Sequence, residues 1–485
     1  MKKRLQFVNS VLGNINFWII LFFLFRLYNI TAPPIDAAHS WRQVTGNMVA
    51  RNFLEIDNNI LLPRVDMAGE MSGITGTEFP ILNYLIYLMA LVFGWQEWYG
   101  RLIVLIVSSF GLRFFYKLIE KKHNSQHAFY ATMLLISSLW FIYSRKIMPD
   151  TFSVSLVIMG LWYAWKFLEN SSIYSLLFSV LFATAGILSK IPALIIFTPL
   201  ALIYLDRNYK LSNKIYLVLA FLPSAVFVVW WYFVQVPFLV QEYGFWHYYM
   251  GVSMTQGAKE LWIYASEASK IFYSDAMKYT GFALFLLSLI VLFRNYKKEK
   301  NAKTILQVFI VSSVIFAIFM LKSGRNFAVH SYYIVPFVPF MTYVSAWILT
   351  KIPKQKLAYF ILAVVMIEGI INQIHDFRIK QNKTSMLRYE AVLDEFSYKE
   401  DLILINGGDN PTDLYFTHRK GWSMENNEIK NPEIIDSLHN LGCKFILINK
   451  HYESRPEFNQ KPVYQEDEFE IYECVVNITN DNMDK

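Results

Sequence analysis

The sequence predicts an α-helical membrane protein that crosses the bilayer many times and ends in a small α/β domain. Of the 485 residues, 55% are hydrophobic and only 17% are charged, and the mean hydropathy of +0.30 is too apolar for a soluble protein of this length. The apolar residues form separate runs that are long enough to cross a membrane. Beyond residue 381 the pattern changes to short apolar strands among polar segments.

The first apolar run follows Met1-Lys2-Lys3-Arg4 and extends to about Phe25. No small-x-small cleavage site follows it, so we predict a first membrane span rather than a cleaved signal peptide. Ten later runs bring the total to about eleven spans. They lie at residues 100–119, 127–144, 151–168, 173–188, 190–205, 214–234, 277–294, 304–321, 331–350 and 356–373.

Basic residues cluster in alternate connectors, which is typical of cytoplasmic loops. These connectors are residues 117–122, 207–214, 294–303 and 351–356. The N-terminus is therefore predicted to be cytoplasmic, while the first outer loop (30–98) and a second one (235–275) face the other side. The net charge of +7 follows from this topology, so no nucleic-acid partner is predicted.

The first outer loop contains one apolar run, from Ile81 to Phe93. A membrane span here would move the basic connector 117–122 to the outside. We therefore predict a helix that lies on the outer leaflet, with its tyrosines and Trp95 and Trp98 at the interface. This loop belongs to the predicted membrane domain, residues 1–375.

Residues 381–485 predict a small α/β domain on the outer side. Leu402-Ile-Leu-Ile-Asn-Gly-Gly is typical of a buried strand that ends in a turn, and residues 444–449 are typical of a second strand. Helix-like stretches at 386–396 and 432–440 flank them. The glycine pair lacks a Walker lysine and a three-glycine pattern, so no nucleotide cofactor is predicted. Cys443 and Cys474 both lie here, and a disulfide between them is left open.

Two acidic residues in the first outer loop are candidates for chemistry. Asp36 can remove a proton from a hydroxyl or amine acceptor, or it can cap an amphipathic helix predicted at 37–53. Glu78, in Thr77-Glu78-Phe79-Pro80, can orient a sugar or an acceptor, or it can start a helix ahead of the proline.

Charged residues also lie at the predicted outer ends of later spans, where charge is costly unless it is paired or used. Arg145 and Asp150 share the turn Ser-Arg-Lys-Ile-Met-Pro-Asp, in which a helix N-cap is the alternative role for Asp150. Lys190, before Ile-Pro, can meet a lipid phosphate or extend to the interface. Arg325 can hold a phosphate in a bidentate manner, and His330 or Tyr332 can hydrogen-bond a leaving phosphate or a sugar hydroxyl. The aromatic connector 243–249 offers stacking surfaces or an interfacial belt.

The order of these features on one face resembles a known family. An N-terminal span, an early Asp36, the acidic residue before Pro80, Gly94 followed by Arg101, and the Ser144 to Asp150 turn resemble the polyprenyl-phosphate-sugar-dependent glycosyltransferases. This GT-C fold superfamily includes protein O-mannosyltransferases and lipid A aminoarabinose transferases. The resemblance covers roughly residues 1–350 and is strongest from 30 to 200. Many relatives carry a basic or imidazole side chain where this chain has Phe79.

The resemblance implies an inverting hexosyl- or pentosyltransferase of a membrane, such as a bacterial inner membrane. Its donor would be a sugar on a polyprenyl phosphate, such as undecaprenyl phosphate, and its acceptor a lipid, glycan or protein. Asp36 would be the general base, with Glu78 and Asp150 as further catalytic residues. Asp36 and Asp150 would share either a divalent cation, through oxygen ligands, or a hydrogen-bond network. The implied substrate-binding residues are Arg42, Arg145, Lys190, Arg325, His330 and Tyr332.

Two other classes of function are weighed against this one. A transporter or flippase for lipid-linked sugars usually shows paired repeats or helices broken at mid-membrane depth. Here the polar residues cluster at one surface and no internal repeat is evident. An acceptor-binding scaffold without activity is the third class, and a substitution of Asp36 should separate it from a transferase.

Overall fold

The structure, a computed structural model, describes residues 12–36, 38–244, 251–456 and 458–475. Most of the aromatic connector 243–249 lies outside these residues. The chain forms two compact units. The helical unit takes its residues from Met1–Thr31, Trp98–Val234 and Tyr248–His375. The sheet unit takes its residues from Ala32–Glu97, Gln235–His247 and Asp376–Lys485.

The helical unit confirms the prediction of a helical membrane protein. Its α-helices are Ile15–Arg26, Tyr99–Lys122, Ser125–Ser137, Trp140–Tyr143, Pro149–Asn170, Ile173–Ser189, Thr198–Leu205, Leu211–Trp230, Met254–Ile263, Ala265–Lys270, Lys278–Asn295, Lys300–Ser323, Arg325–Val329, Val338–Lys351 and Gln355–Ile371. Five helices among the described residues are long and apolar enough to cross a membrane, namely Tyr99–Lys122, Pro149–Asn170, Leu211–Tyr243, Lys278–Asn295 and Lys300–Ser323. The total of eleven spans stays a prediction.

Three predicted spans are interrupted rather than continuous. The run at 127–144 breaks after Ser137, and the run at 190–205 begins as the 3-10 helix Ile191–Phe197. The run at 331–350 begins as the 3-10 helix Ser331–Ile334 and continues as α-helix only from Val338. Prolines stand in the first turns of the helices that begin at Ile191, Thr198 and Val338, because proline suits a helix start but not its interior. The described residues of the segment predicted as the second outer loop are also largely helical, in Val236–Tyr243, Met254–Ile263, Ala265–Lys270 and Ile271–Ala276.

The Pro149–Asn170 helix forms the centre of the helical unit. Its most apolar window is 83% buried, against 17% for Leu211–Tyr243. Glycines allow its neighbours to approach closely, since a Cβ on Gly160 would lie 2.8 Å from the backbone nitrogen of Ala183. A Cβ on Gly186 would likewise lie 2.6 Å from the carbonyl oxygen of Ser153. This packing brings the start of Pro149–Asn170 beside the end of Ile173–Ser189.

The sheet unit confirms the predicted small α/β fold. Its strands are β1 (Leu402–Ile405), β2 (Gly421–Ser423), β3 (Cys443–Asn449), β4 (Tyr464–Gln465) and β5 (Phe469–Glu473). The order is β2-β1-β3-β5-β4, with β1 parallel to β2 and β3, and β5 antiparallel to β3 and β4. The sequence predicted β1 and β3. The other strands have two to five residues, too few for a clear periodic pattern.

The helices of the sheet unit are Ser40–Glu55, Ile81–Phe93, Val236–Tyr243, Tyr389–Leu393, Thr412–Thr417, Asn426–Ile429 and Pro432–Asn440. Ile35, Val44 and Met48 share one hydrophobic core with strands β1 and β3. The first outer loop therefore folds together with the C-terminal region. Contacts between such distant parts of a chain leave no local sequence signal. The division into a membrane domain (1–375) and an α/β domain (381–485) stays a prediction.

The two cysteines are free thiols in this structure, and both are buried. A hydrogen bond with Cys474 and burial both raise the pKa of Cys443. The disulfide that the sequence left open is therefore not formed here.

Candidate functional site

The first group of candidate residues lies in the helical unit, where three segments end or break. Asp150 is the second residue of the Pro149–Asn170 helix, and Lys190 follows directly after Ile173–Ser189. The Lys190 ammonium forms an ion pair with Oδ1 of Asp150. Both side chains are buried, since Asp150 is 1% and Lys190 7% exposed. We call Arg145, Asp150, Lys190, His330 and Tyr332 the helix-end cluster.

Aromatic rings surround the ammonium group of Lys190. Its Nζ lies 4.7 Å from the ring centroid of Tyr332 and 5.9 Å from that of Tyr333, close enough for cation–π attraction. The ring of His330 stacks on Tyr332 with centroids 5.1 Å apart. The Tyr143 hydroxyl shares a 2.8 Å hydrogen bond with Ser331 Oγ, which joins the 140s turn to this segment. The break before Val338 thus positions three of the predicted residues together.

The second carboxylate oxygen of Asp150 has no hydrogen-bond partner among the described residues. Oδ2 is buried and accepts no hydrogen bond from the part of the chain that the structure describes. Buried carboxylate oxygens are normally hydrogen-bonded, so an acceptor left over in this way is typical of a functional group. Asp150 is therefore held in place by Lys190 through one oxygen and can receive a donor through the other.

Arg145 ties the neighbouring turn to the end of the first helix. Its guanidinium donates to the carbonyl oxygens of Tyr28 and Asn29, at 3.1 Å each. Arg26 donates to the hydroxyl of Ser144 from the same side. Arg325 is positioned differently: it is exposed, its guanidinium lies 5.4 Å from the ring centroid of Tyr264, and its backbone N–H donates to Glu260.

The second group of candidate residues lies in the sheet unit. The Nε2 of Gln43 donates to Oδ2 of Asp36 at 2.9 Å. The guanidinium of Arg42 pairs with Oε1 of Glu78 at 3.2 Å, and the Thr77 hydroxyl donates to the other oxygen of Glu78. Asp36 is 8% exposed and Gln43 is fully buried. We call Asp36, Arg42, Gln43 and Glu78 the loop cluster.

The capping role that the sequence left open for Asp36 is wrong. The helix predicted at 37–53 begins only at Ser40, with His39 at the N-cap in a left-handed conformation (φ 63°), and Asp36 instead forms a β-bridge with Ile379. Glu78 stands ahead of a helix whose N-cap residue is Pro80, and it pairs with Arg42. Residue 37 lies outside the described residues.

Asp150 does not cap its helix either. The helix begins at Pro149 with Met148 as the N-cap residue, so Asp150 lies inside the first turn. A carboxylate there is stabilised by the helix dipole, which adds to the attraction of Lys190.

Buried charges hold the helix that carries Arg42 and Gln43. Arg51, farther along this helix, pairs with Asp66 at 2.7 Å and donates to the carbonyl oxygen of Tyr415. At the end of the helix, the carboxylate of Glu55 is hydrogen-bonded to Nε2 of His418 at 2.9 Å. The Nδ1 of the same ring is hydrogen-bonded to Glu390 at 2.6 Å. The helix therefore has fixed contacts at its middle and at its end.

The contacts of His418 change its pKa. Burial alone would lower it, but the hydrogen bonds to Glu390 and Glu55 outweigh burial, and the pKa is raised above its usual value. The hydrogen bond from His418 in turn lowers the pKa of Glu390 to about 2. The pair is charged near neutral pH more readily than either group alone would be.

Sequence reasoning missed Gln43 and Tyr143. Gln43 lies one turn into a helix whose polar residues follow no clear pattern, and its role depends on Asp36, seven residues earlier. Tyr143 lies inside an apolar run, where a tyrosine is normally a core residue. Only the folded chain identifies these two contacts.

Known proteins share this architecture. A model of the family described as dolichyl-phosphate-mannose-protein mannosyltransferase matches residues 77–233. The crystal structure of ArnT from Cupriavidus metallidurans in the apo state has a TM-score of 0.60 at 11% identity, covering 95% of this chain and 98% of that chain. The chain has the GT-C fold. The resemblance inferred from the sequence is thereby confirmed.

A second GT-C structure agrees. The oligosaccharyltransferase of Archaeoglobus fulgidus in the apo form has a TM-score of 0.55 at 10% identity, covering 86% of this chain and 66% of that chain. No curated protein matches the chain by sequence. The GT-C fold and its apolar helices make this an integral membrane protein. At such low identity the shared fold does not assign a role to any residue.

Proposed function

We propose that this protein is a glycosyltransferase that moves a sugar from a polyprenyl phosphate to an acceptor on the outer face of a membrane. The observation that carries the proposal is the buried pair of Lys190 and Asp150 beside Tyr332 and His330, at the ends of apolar helices in a GT-C fold. The family match at residues 77–233 supports the reaction class. ArnT from Cupriavidus metallidurans bound to undecaprenyl phosphate, and archaeal AglB in complex with a dolichol-phosphate, support the donor class.

The phosphate of the donor needs cations near the ends of membrane helices. Lys190 and Arg145 supply these cations in the helix-end cluster. Arg325 supplies a third cation on the segment that also carries His330 and Tyr332. In the free protein the Lys190 ammonium is neutralised by Asp150. When the donor binds, its phosphate replaces part of the attraction between Lys190 and Asp150. His330 and Tyr332 then donate hydrogen bonds to the phosphate as the sugar leaves it.

The acceptor is activated by Asp36. Its carboxylate takes the proton of the acceptor hydroxyl or amine, while Gln43 positions it by a 2.9 Å hydrogen bond to Oδ2. The acceptor attacks the anomeric carbon from the side opposite the phosphate. The bond between that carbon and the phosphate oxygen breaks, and polyprenyl phosphate leaves with the electron pair. The configuration of the sugar is inverted.

Glu78 and Arg42 orient the sugar in this scheme. The carboxylate of Glu78, paired with Arg42, accepts hydrogen bonds from sugar hydroxyls. Arg42 remains 28% exposed at its side chain and can reach a polar substrate.

A divalent cation between Asp36 and Asp150 stays a prediction. Among the described residues no group of three or more His, Cys, Asp or Glu side chains is arranged to hold a metal ion. Lys190 occupies Oδ1 of Asp150, so a cation would have to bind Oδ2. The similar oligosaccharyltransferase of Archaeoglobus fulgidus has been crystallised in complex with Zn and sulfate, which supports a test for a metal ion here. The proposed transfer uses no metal-dependent step and no nucleotide cofactor.

We further propose a bacterial inner membrane, a cytoplasmic N-terminus and an outer C-terminal region, because the basic connectors fall on one side. The sheet unit would then meet the acceptor. The sugar and the acceptor are left at the level of class.

The test is sugar transfer by the purified protein in detergent from a pool of polyprenyl-phosphate sugars. The wild type should transfer sugar and Asp36→Asn should not, while Glu70→Gln, an exposed acid in the same loop, should behave as the wild type. EDTA is added in parallel, and lost transfer that Mg²⁺ or Zn²⁺ restores would support the cation. Equal activity in Asp36→Asn would remove Asp36 from its role, and absence of transfer with every donor would favour the transporter class.

A further inference from the structure

A cavity of about 460 Å³ lies inside the helical unit and takes no part in the proposed reaction. Its volume is within the range of ligand pockets, about 300–1,000 Å³. On the Pro149–Asn170 helix it is lined by Ile158, Leu161 and Trp165. Leu161 follows Asp150 by eleven residues, which is about 16 Å along a helix. The cavity is therefore distinct from the helix-end cluster.

The lining is apolar in depth and polar at one end. The deep wall includes Phe115, Ile158, Ile196 and Phe340. Four polar lining residues are next to helix ends: Lys122 is the last residue of Tyr99–Lys122, Asp206 and Tyr209 follow Thr198–Leu205, and Thr304 lies in the second turn of Lys300–Ser323. Two others, Gln307 and Tyr343, lie farther along their helices. From Phe115 to Lys122 the helix rises about 10 Å. A ligand that fits this space has a long apolar part and a polar head.

One wall of the cavity is an exposed apolar helix. The Thr198–Leu205 helix is apolar, and none of its residues is fully buried. Leu205, which lines the cavity, is 72% exposed. An apolar space gives a water molecule too few hydrogen-bond partners, so it favours hydrocarbon over water. In a membrane-spanning unit the available hydrocarbon is a lipid chain.

The charge at the polar end indicates the head group. Residues 117–122 and 206–210 carry five basic residues against two acidic ones, Glu120 and Asp206. Lys121 is paired with Glu169, whereas Lys122 lines the cavity with an exposed side chain. The carboxylate of Asp206 accepts the backbone N–H of Asn208 at 3.0 Å. Basic segments beside a bilayer attract anionic lipids.

We propose that this cavity binds one acyl chain of an anionic phospholipid, with the lipid phosphate beside Lys122 and the hydroxyl of Tyr209. The site is structural or regulatory, and it is separate from the donor lipid. Bound lipid would connect four helices that line the cavity, those that contain Phe115, Leu161, Leu202 and Val308. The proposal does not depend on the identity of the reaction.

The test is thermal unfolding of the purified full chain in detergent with added phosphatidylglycerol or with phosphatidylcholine of the same chains. A ligand that binds only the native state raises Tm as its concentration rises. We expect this rise with phosphatidylglycerol and a smaller one with phosphatidylcholine. Lys122→Gln should weaken the apparent affinity for phosphatidylglycerol about threefold, the size expected for one exposed charge. Lys298→Gln, an exposed lysine outside the cavity lining, should leave it unchanged.

A second variant fills the cavity. Leu202→Trp should abolish the dependence of Tm on phosphatidylglycerol, while Leu222→Trp, at a half-exposed position outside the cavity lining, should keep it. Val308→Phe gives the same test from another helix if Leu202→Trp does not fold. An undiminished lipid effect in the filled variants would overturn the site. A Tm rise caused by undecaprenyl phosphate and lost in Leu202→Trp would assign the cavity to the donor lipid and overturn the proposal as well.

Discussion

The helix-end cluster and the loop cluster both combine acids with bases, but they treat charge differently. In the helix-end cluster Asp150 is 1% exposed and Lys190 7% exposed, so each charge depends on the other. In the loop cluster the side chains of Arg42 and Glu78 stay 28% and 17% exposed, and water screens them. The Asp150–Lys190 pair is therefore stabilised by mutual neutralisation, whereas solvent also stabilises the charges of the Arg42–Glu78 pair.

The largest expected effect comes from breaking the buried pair. Lys190→Met leaves the Asp150 carboxylate buried without its partner and should lower the free energy of unfolding by about 3–5 kcal/mol. Lys121→Met, which breaks the more exposed pair with Glu169, should cost about 1 kcal/mol or less. Thermal unfolding in detergent measures both. Equal losses in the two variants would contradict the difference in burial.

A smaller stability effect and a clear kinetic one are expected from Gln43→Leu. The variant removes the hydrogen bond to Asp36, and a hydrogen bond to a charged group contributes about 1.5–3 kcal/mol. We expect kcat to fall roughly tenfold to a hundredfold with little change in KM, because only the position of the base is disturbed. Steady-state transfer kinetics would check this. A change confined to KM would mean that Gln43 binds substrate instead.

The pH dependence of stability should reveal His418. Because the pKa of His418 is raised in the folded state, its charged form stabilises the fold. This contribution to the free energy of unfolding is complete below the ordinary histidine pKa of 6.5 and is lost as the pH rises through the folded-state pKa. Glu390, with its pKa lowered from 4.5 to about 2, contributes above pH 4.5 and loses this contribution as the pH falls toward 2.

We therefore expect Tm to fall on the alkaline side of pH 6.5, by an amount equivalent to about 1 kcal/mol or less because the carboxylates are partly exposed. The Tm of His418→Gln should lack this step, whereas His451→Gln, whose contact with Glu468 is longer at 3.6 Å, should retain it. A step of the same size in His418→Gln would assign it to another group.

The smallest expected effect is that of Arg42→Gln on stability. Its pair with Glu78 is part-exposed, so the loss should be about 0.5 kcal/mol. Transfer kinetics should instead show a raised KM, because Arg42 is proposed to orient the sugar. A large fall in Tm would mean that the loop cluster is held by paired charge in the same way as the helix-end cluster.

The sequence predicted the helices better than the contacts. The run at 151–168 became Pro149–Asn170 and the run at 356–373 became Gln355–Ile371, because long apolar runs between basic connectors have few alternatives to a helix. The capping roles of Asp36 and Asp150 were wrong by a few residues, since Pro149 and the turn before Ser40 decide where those helices start.

Pairing could not be predicted in the same way. Asp150 and Lys190 are forty residues apart, and each was singled out for its charge at a membrane edge. Their ion pair depends on the close approach of two helices at Gly160 and Gly186, which is a property of packing and not of either segment. The same holds for Arg51 with Asp66 and Tyr415, residues that no local pattern connects.

The central claim is that the helix-end cluster binds the donor lipid and that the loop cluster performs the proton transfer. The most direct measurement separates binding from transfer, using a radiolabelled polyprenyl-phosphate sugar with wild type, Lys190→Met and Asp36→Asn. We predict that Asp36→Asn binds the donor as the wild type does and transfers nothing, while Lys190→Met loses donor binding. Loss of donor binding in Asp36→Asn, or full binding and transfer in folded Lys190→Met, would contradict the account.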